Sequence, residues 1–106
     1  MRVRAMRIII MFDMPSVNKK DLRSYNRWHR FLVNTGFVMM TESVYSRLVI
    51  NKSVSTSVKK LIYKNLPKDG IIQLLEITEK QYAEIEYCLG ESKSNVVNTI
   101  ERYVEI

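Results

Sequence analysis

MRIIIMFDMPS, residues 6–16, is the stretch from which the rest of the chain can be ordered. Ile8, Ile9 and Ile10 stand in a row between Met6 and Phe12, with no alternation of apolar and polar positions. β-Branched residues favour a pleated strand, and a strand apolar at both parities is covered on both faces or lies centrally in its sheet. Pro15 ends it: the ring has no N–H for a ladder and biases Met14 away from helix. A central strand from Met6 to Phe12, closed by Asp13-Met14-Pro15-Ser16, is therefore the first element.

Downstream, Lys19 to Asn34 reads as a helix ending near Gly36. Phe37 to Ile50 is rich in β-formers but long for one strand, so a turn around Thr41–Ser43 is expected to divide it in two. Ser53 is the expected N-cap of a second helix running to about Leu66. Pro67-Lys68-Asp69-Gly70 makes a turn, and Ile71 to Thr78 a further strand. Glu79 to Leu89 fits neither period, and Val96 to Ile106 contains a last short strand. The order β-α-β-β-α-β is that of an α+β, ferredoxin-like fold: two helices on one face of an antiparallel sheet, here with an extra C-terminal strand.

The chain of 106 residues is expected to be one domain, with about 1–80 as its core and 81–106 as an extension for dimer or partner contacts. At 46% hydrophobic and 26% charged, with three glycines and two prolines, the composition is globular. The apolar run is too short for a membrane span, and no secretory leader follows Arg2, Arg4 and Arg7. The one cysteine, Cys88, allows no internal disulfide and no cysteine-based metal cluster. A cytoplasmic setting is expected, with no membrane partner.

Charge gives the first functional direction. The chain carries a formal +6, unevenly placed: residues 1–64 hold 13 basic and 3 acidic residues, residues 65–106 hold 4 and 8. A basic half suits a polyanion, and an acidic half suits a protein contact. On the first helix Leu22, Tyr25, Trp28 and Leu32 fall within about 120° of one another and mark the core side. Lys19, Lys20, Arg23, Arg27 and Arg30 fall within about 100° on the opposite side, without an acid among them. Arg23 and Arg27 repel at the i,i+4 spacing, a cost that phosphates along a duplex would offset. The plainer alternative is a solvated basic face. Lys59, Lys60 and Lys64 of the second helix read mainly as such a face, opposite Val54, Val58, Leu61, Ile62 and Leu66.

For chemistry, Asp13 stands out, directly after the buried strand. A carboxylate there can hold Mg²⁺, which takes hard oxygen ligands and keeps several waters. It can equally be a turn aspartate bonded to local backbone. One carboxylate does not make a strong site, and a twofold dimer would bring two copies together. His29, the only histidine, lies at the edge of the apolar stripe and reads as structural. No Ser-His-Asp or Cys-His set and no glycine-rich phosphate loop is present. RNA-recognition modules on this fold need exposed aromatics on central strands, and neither Met6–Met11 nor Ile71–Leu75 has any.

Ile8-Ile9-Ile10-Met11-Phe12-Asp13-Met14-Pro15, the basic helix, Gly36-Phe37, Ser43-Val44-Tyr45 and Thr78-Glu79-Lys80-Gln81 together resemble the small CRISPR-associated protein of spacer acquisition, a family described as a metal-dependent endoribonuclease. The Met-Phe-Asp-Met-Pro and Ser-Val-Tyr-Ser stretches look most like members accompanying single-effector, type II-A systems. The resemblance implies a ferredoxin-like homodimer exchanging C-terminal strands. It implies a subunit that bridges two dimers of the larger integrase subunit and holds duplex prespacer DNA on its basic surface. It also implies that Asp13 faces its dimer mate, where it can bind Mg²⁺ and, in members that cut nucleic acid, serves catalysis. Lys19, Lys20, Arg23, Arg27 and Arg30 fit the family's DNA-facing surface by position.

Overall fold

A computed structural model describes residues 5–91. Its elements are β1 (Met6–Asp13), α1 (Lys19–Asn34), β2 (Val38–Thr41), β3 (Val44–Val49), α2 (Lys52–Lys64), β4 (Ile71–Thr78) and a short α3 (Glu79–Ala83). The strands form one sheet in the order β2-β3-β1-β4. Every pairing is antiparallel. This is the expected ferredoxin-like α+β arrangement, with β1 between β3 and β4. The expected last strand within Val96–Ile106 lies outside the described residues.

Strand alternation divides the sheet's two faces. Ile8, Ile10 and Phe12 of β1 share a face with Tyr45 and Val49 of β3. There they form the core with Trp28 and Leu32 of α1, Val58 and Ile62 of α2, and Phe37. Burying each such side chain contributes roughly 1.5–3 kcal/mol. Phe12 is the hub of the aromatic end of this core: its ring stacks on Tyr45 at 5.6 Å and meets the Trp28 ring edge-on at 6.1 Å.

The helix ends follow local chemistry. Asn18 caps α1 by accepting from the Asp21 N–H at 2.9 Å, and the Asp21 carboxylate accepts in return from the backbone of Val17 and Asn18. The only acid in the α1 sequence is thus absorbed by the cap. At the other end the Gly36 N–H reaches Val33 O and the Phe37 N–H reaches Leu32 O, at 3.0 and 2.9 Å. This is the paired bonding of a Schellman stop, with Gly36 at φ +93°.

Three expectations need correction. The α2 cap is Asn51, not Ser53: Asn51 is extended, and its side chain accepts from the Val54 N–H at 2.8 Å. The helix ends at Lys64, not Leu66, because Asn65 leaves helical geometry ahead of Pro67. Leu22, Leu61 and Leu66 lie outside the core, 50%, 45% and 42% exposed. One residue of α2 that is buried against β4 is instead a polar one, Ser55. Ser55 donates to the Glu76 carboxylate of β4 at 2.6 Å, and Lys59 Nζ lies 3.1 Å from it. The Ser55 hydroxyl, with Lys59 behind it, holds the Glu76 carboxyl below its ordinary range against the opposing effect of burial.

The other sheet face carries no described helix over most of its area. Register places Ile9, Met11, Asp13, Val38, Val44, Ser46, Leu48, Ile71, Gln73, Leu75 and Ile77 on it. Arg7 shares this face at the opposite end from Asp13. Its guanidinium pairs with Glu79 at 2.5 Å and lies 4.3 Å from the centre of the Tyr82 ring, which ties α3 to β1.

Candidate nucleic-acid interface

Lys19, Lys20, Arg23, Arg27 and Arg30 are all exposed on α1, opposite the side that buries Trp28 and Leu32. None of the five makes an ion pair with a described residue; the ion pairs among those residues are Arg7–Glu79 and Lys59–Glu76. The face is therefore a run of positive charge without ion-pair partners among the described residues. Lys59, by contrast, is tied to Glu76, while Lys60 and Lys64 are exposed.

The structure refines this surface in a way the helix periodicity does not reveal. Lys20, Arg23 and Arg27 line a cleft of about 480 Å³, and Lys68 lines it with them from the turn between α2 and β4. A smaller pocket of about 170 Å³ adjoins it, sharing Ser24, Arg27 and Lys68, with Trp28 in its wall. Lys68 is separated in sequence from the α1 cations, and as one lysine in a Pro-Lys-Asp-Gly turn it carries no signal of its own.

Asp13 is the last residue of β1 and is exposed. Its strand end is held by the Phe12 N–H, which donates to Ser43 O at 3.0 Å, and by pairing with Ile71 of β4. Gly70 makes that approach possible. It sits at φ +109°, and a Cβ there would come within 2.6 Å of the Asp13 carbonyl oxygen. Asp13 lines a cleft of about 540 Å³ with Ser16, Leu22, Tyr25, Glu42 and Ser43. Glu42 comes from the β2–β3 turn and brings a second carboxylate to the cleft that holds Asp13. Among the described residues no three of His, Cys, Asp and Glu gather closely enough to hold a metal ion. The donors beside Asp13 are hard oxygens, which suit Mg²⁺ with most of its waters retained.

His29 is structural, as the sequence suggests: its Nδ1 is hydrogen-bonded to the Tyr45 hydroxyl. The Tyr45 side chain is buried next to Tyr25. Burial first, and the neighbouring Tyr25 second, push its hydroxyl from 10.0 up to about 12. Tyr25 itself donates to the Glu42 carbonyl at 2.9 Å, anchoring α1 to the turn that carries Glu42. Cys88 is exposed and unpaired by any disulfide. No helix among the described residues is long and apolar enough to cross a membrane.

A ferredoxin-like unit with a bare sheet face, a cationic helix over a cleft and a carboxylate at the central strand's end describes one class of small α+β protein. The chain belongs to the CRISPR-associated Cas2 family, whose model, described as CRISPR associated protein Cas2, matches residues 6–85. It is similar to the CRISPR-associated endoribonuclease Cas2 of Treponema denticola, with 42% identity over 93% of this chain and 98% of that protein. The protein of the same name from Streptococcus mutans is 40% identical, over 93% of this chain and 91% of the relative. That from Lacticaseibacillus rhamnosus is 38% identical over 95% and 100%. The family resemblance carried by residues 8–15 and the later motifs is thereby established, and the protein is CRISPR-associated.

Proposed function

We propose that the protein is the duplex-DNA-holding structural subunit of a CRISPR spacer-integration complex, in which a homodimer bridges dimers of the larger integrase subunit in the cytoplasm. The supporting observation is the exposed α1 face, whose five cations have no acidic partner among the described residues. Such a face suits phosphates, which neutralise it without reading sequence. The bare sheet face supports the dimer, because it leaves Val38, Leu48, Ile71 and Leu75 exposed, and large apolar side chains exposed together on one face mark an interface. The acidic residues beyond position 64 suit a protein contact with the integrase.

A second reading is a Mg²⁺-dependent endonuclease acting on RNA or DNA. It is favoured by the name the relatives bear, endoribonuclease, and by the exposure of Asp13 in a cleft with Glu42. In a dimer the two Asp13 carboxylates would hold the ion, which would supply an activated water for phosphodiester hydrolysis.

One experiment separates the two: titration of a short duplex DNA at several salt concentrations with Mg²⁺ present, its products run on a gel. For the structural subunit, wild type binds with a steep salt dependence and without cleavage. Arg23→Glu/Arg27→Glu then lowers the slope of log K against log salt by about two per protomer, and Asp13→Ala binds as wild type. Cleavage that both a chelator and Asp13→Ala abolish would establish the nuclease. Binding insensitive to salt would remove the support for both.

A further inference from the structure

The cation-lined cleft has a geometry that a helix face alone does not provide. Lys20, Arg23 and Arg27 form one wall, on α1, and Lys68 projects from the α2–β4 turn on the other side. None of these four makes an ion pair with a described residue. Of the two acids in the cleft, Asp21 is taken up by the N-cap of α1, and Asp69 has no ion-pair partner among the described residues. Cations converging from two elements on an open cleft of about 480 Å³ leave room for a phosphodiester between them. The turn is fixed in place. Gly70 at φ +109° lets it lie against the Asp13 backbone, which places the backbone of the turn, and Lys68 lines the cleft from there.

We propose that Lys68 is a nucleic-acid contact residue that closes a phosphate clamp with Arg23 and Arg27, so that one backbone phosphate of a duplex is gripped between α1 and the α2–β4 turn. The proposal rests on the nucleic-acid reading given above and adds to it a residue and a place. Asp69, beside Lys68 in the same cleft, weakens the clamp by its charge.

The test is fluorescence anisotropy of a labelled short duplex DNA over a series of salt concentrations, with Lys68→Glu, Asp69→Asn, Lys80→Glu and Arg23→Glu/Arg27→Glu beside wild type. Lys80 is exposed on α3, away from the cleft, and controls for the change in net charge. Lys68→Glu is expected to weaken binding about tenfold and lower the salt slope by about one per protomer. Asp69→Asn is expected to tighten binding. The single tryptophan, Trp28, lines the adjoining pocket with Arg27 and Lys68, so its emission should change on DNA addition to wild type and less in Lys68→Glu. Lys68 sits on an exposed turn, and a matching circular dichroism spectrum shows that the variant is folded. If Lys68→Glu weakens binding no more than Lys80→Glu while Arg23→Glu/Arg27→Glu still does, the clamp is wrong and the nucleic-acid reading stands. If wild type shows no salt-dependent binding of duplex DNA, the reading itself fails and the clamp falls with it.

Discussion

Tyr45 shows how one side chain joins the core to the site. Its ring stacks on Phe12, one residue before Asp13, and its hydroxyl meets His29 of α1. Burial keeps that hydroxyl protonated to about pH 12 in the folded chain, against 10.0 for an ordinary tyrosine. The native value is the higher one, so the unfolded chain loses its proton first. The stabilisation is complete below pH 10.0 and is lost as the pH rises toward 12. Tyr45→Phe should flatten the fall in stability across that interval, as followed by urea unfolding at a series of alkaline pH values. At neutral pH the variant should cost about 1 kcal/mol, because the His29 Nδ1 loses its partner. An unchanged alkaline profile would show that another group governs it.

Among the elements, the α2–β4 connection carries more of the site than its length suggests. The turn from Pro67 to Gly70 brings Lys68 to the α1 cleft and packs against the Asp13 backbone. Gly70→Ala places a Cβ 2.6 Å from a backbone oxygen at a φ of +109°, which no side-chain movement relieves. We expect a loss of about 1–3 kcal/mol by denaturant unfolding. The same variant should weaken duplex binding as the turn shifts. α1 is the opposite case, an element legible almost residue by residue. Its bounds, its stop at Gly36 and its cationic face follow from spacing and capping chemistry within the segment. Leu22 departs from that pattern. Its angular position fits the core stripe, but it lies in the first turn, beyond the edge of the packed layer, and lines the Asp13 cleft instead.

At the scale of the molecule, the sheet is covered on one side only. Val38, Leu48, Ile71 and Leu75 are 50%, 41%, 61% and 49% exposed on the bare face that also carries Asp13. The proposed homodimer, closing that face, would bury these side chains, and with its twofold axis along the strands it would bring the two Asp13 residues toward one another. Leu75→Asp adds a charge on that face, midway along the edge strand β4, and leaves the helix-side core untouched. Analytical ultracentrifugation should then find wild type dimeric and Leu75→Asp monomeric, with unchanged circular dichroism. A monomeric wild type at micromolar concentration would overturn the proposed dimer.

What the sequence determined by itself was whatever depends on neighbours along the chain. The triple isoleucine and Pro15 placed the central strand, the helical spacing divided α1 into core and cationic sides, and the order of elements gave the ferredoxin-like fold. The family was legible too, since its motifs are short contiguous stretches in a fixed order. The tertiary structure decided what depends on segments distant in sequence. Lys68 reaches the α1 cations and Glu42 shares a cleft with Asp13 only because the sheet order sets β1 between β3 and β4, which draws the β2–β3 turn and the α2–β4 turn to the same end of the molecule. A lone lysine in a turn and a lone glutamate in a hairpin have no periodicity to betray them. Ser55 was hidden for the same reason: its burial is stabilised by Glu76, 21 residues away on another element, and local pattern carries no record of that partner.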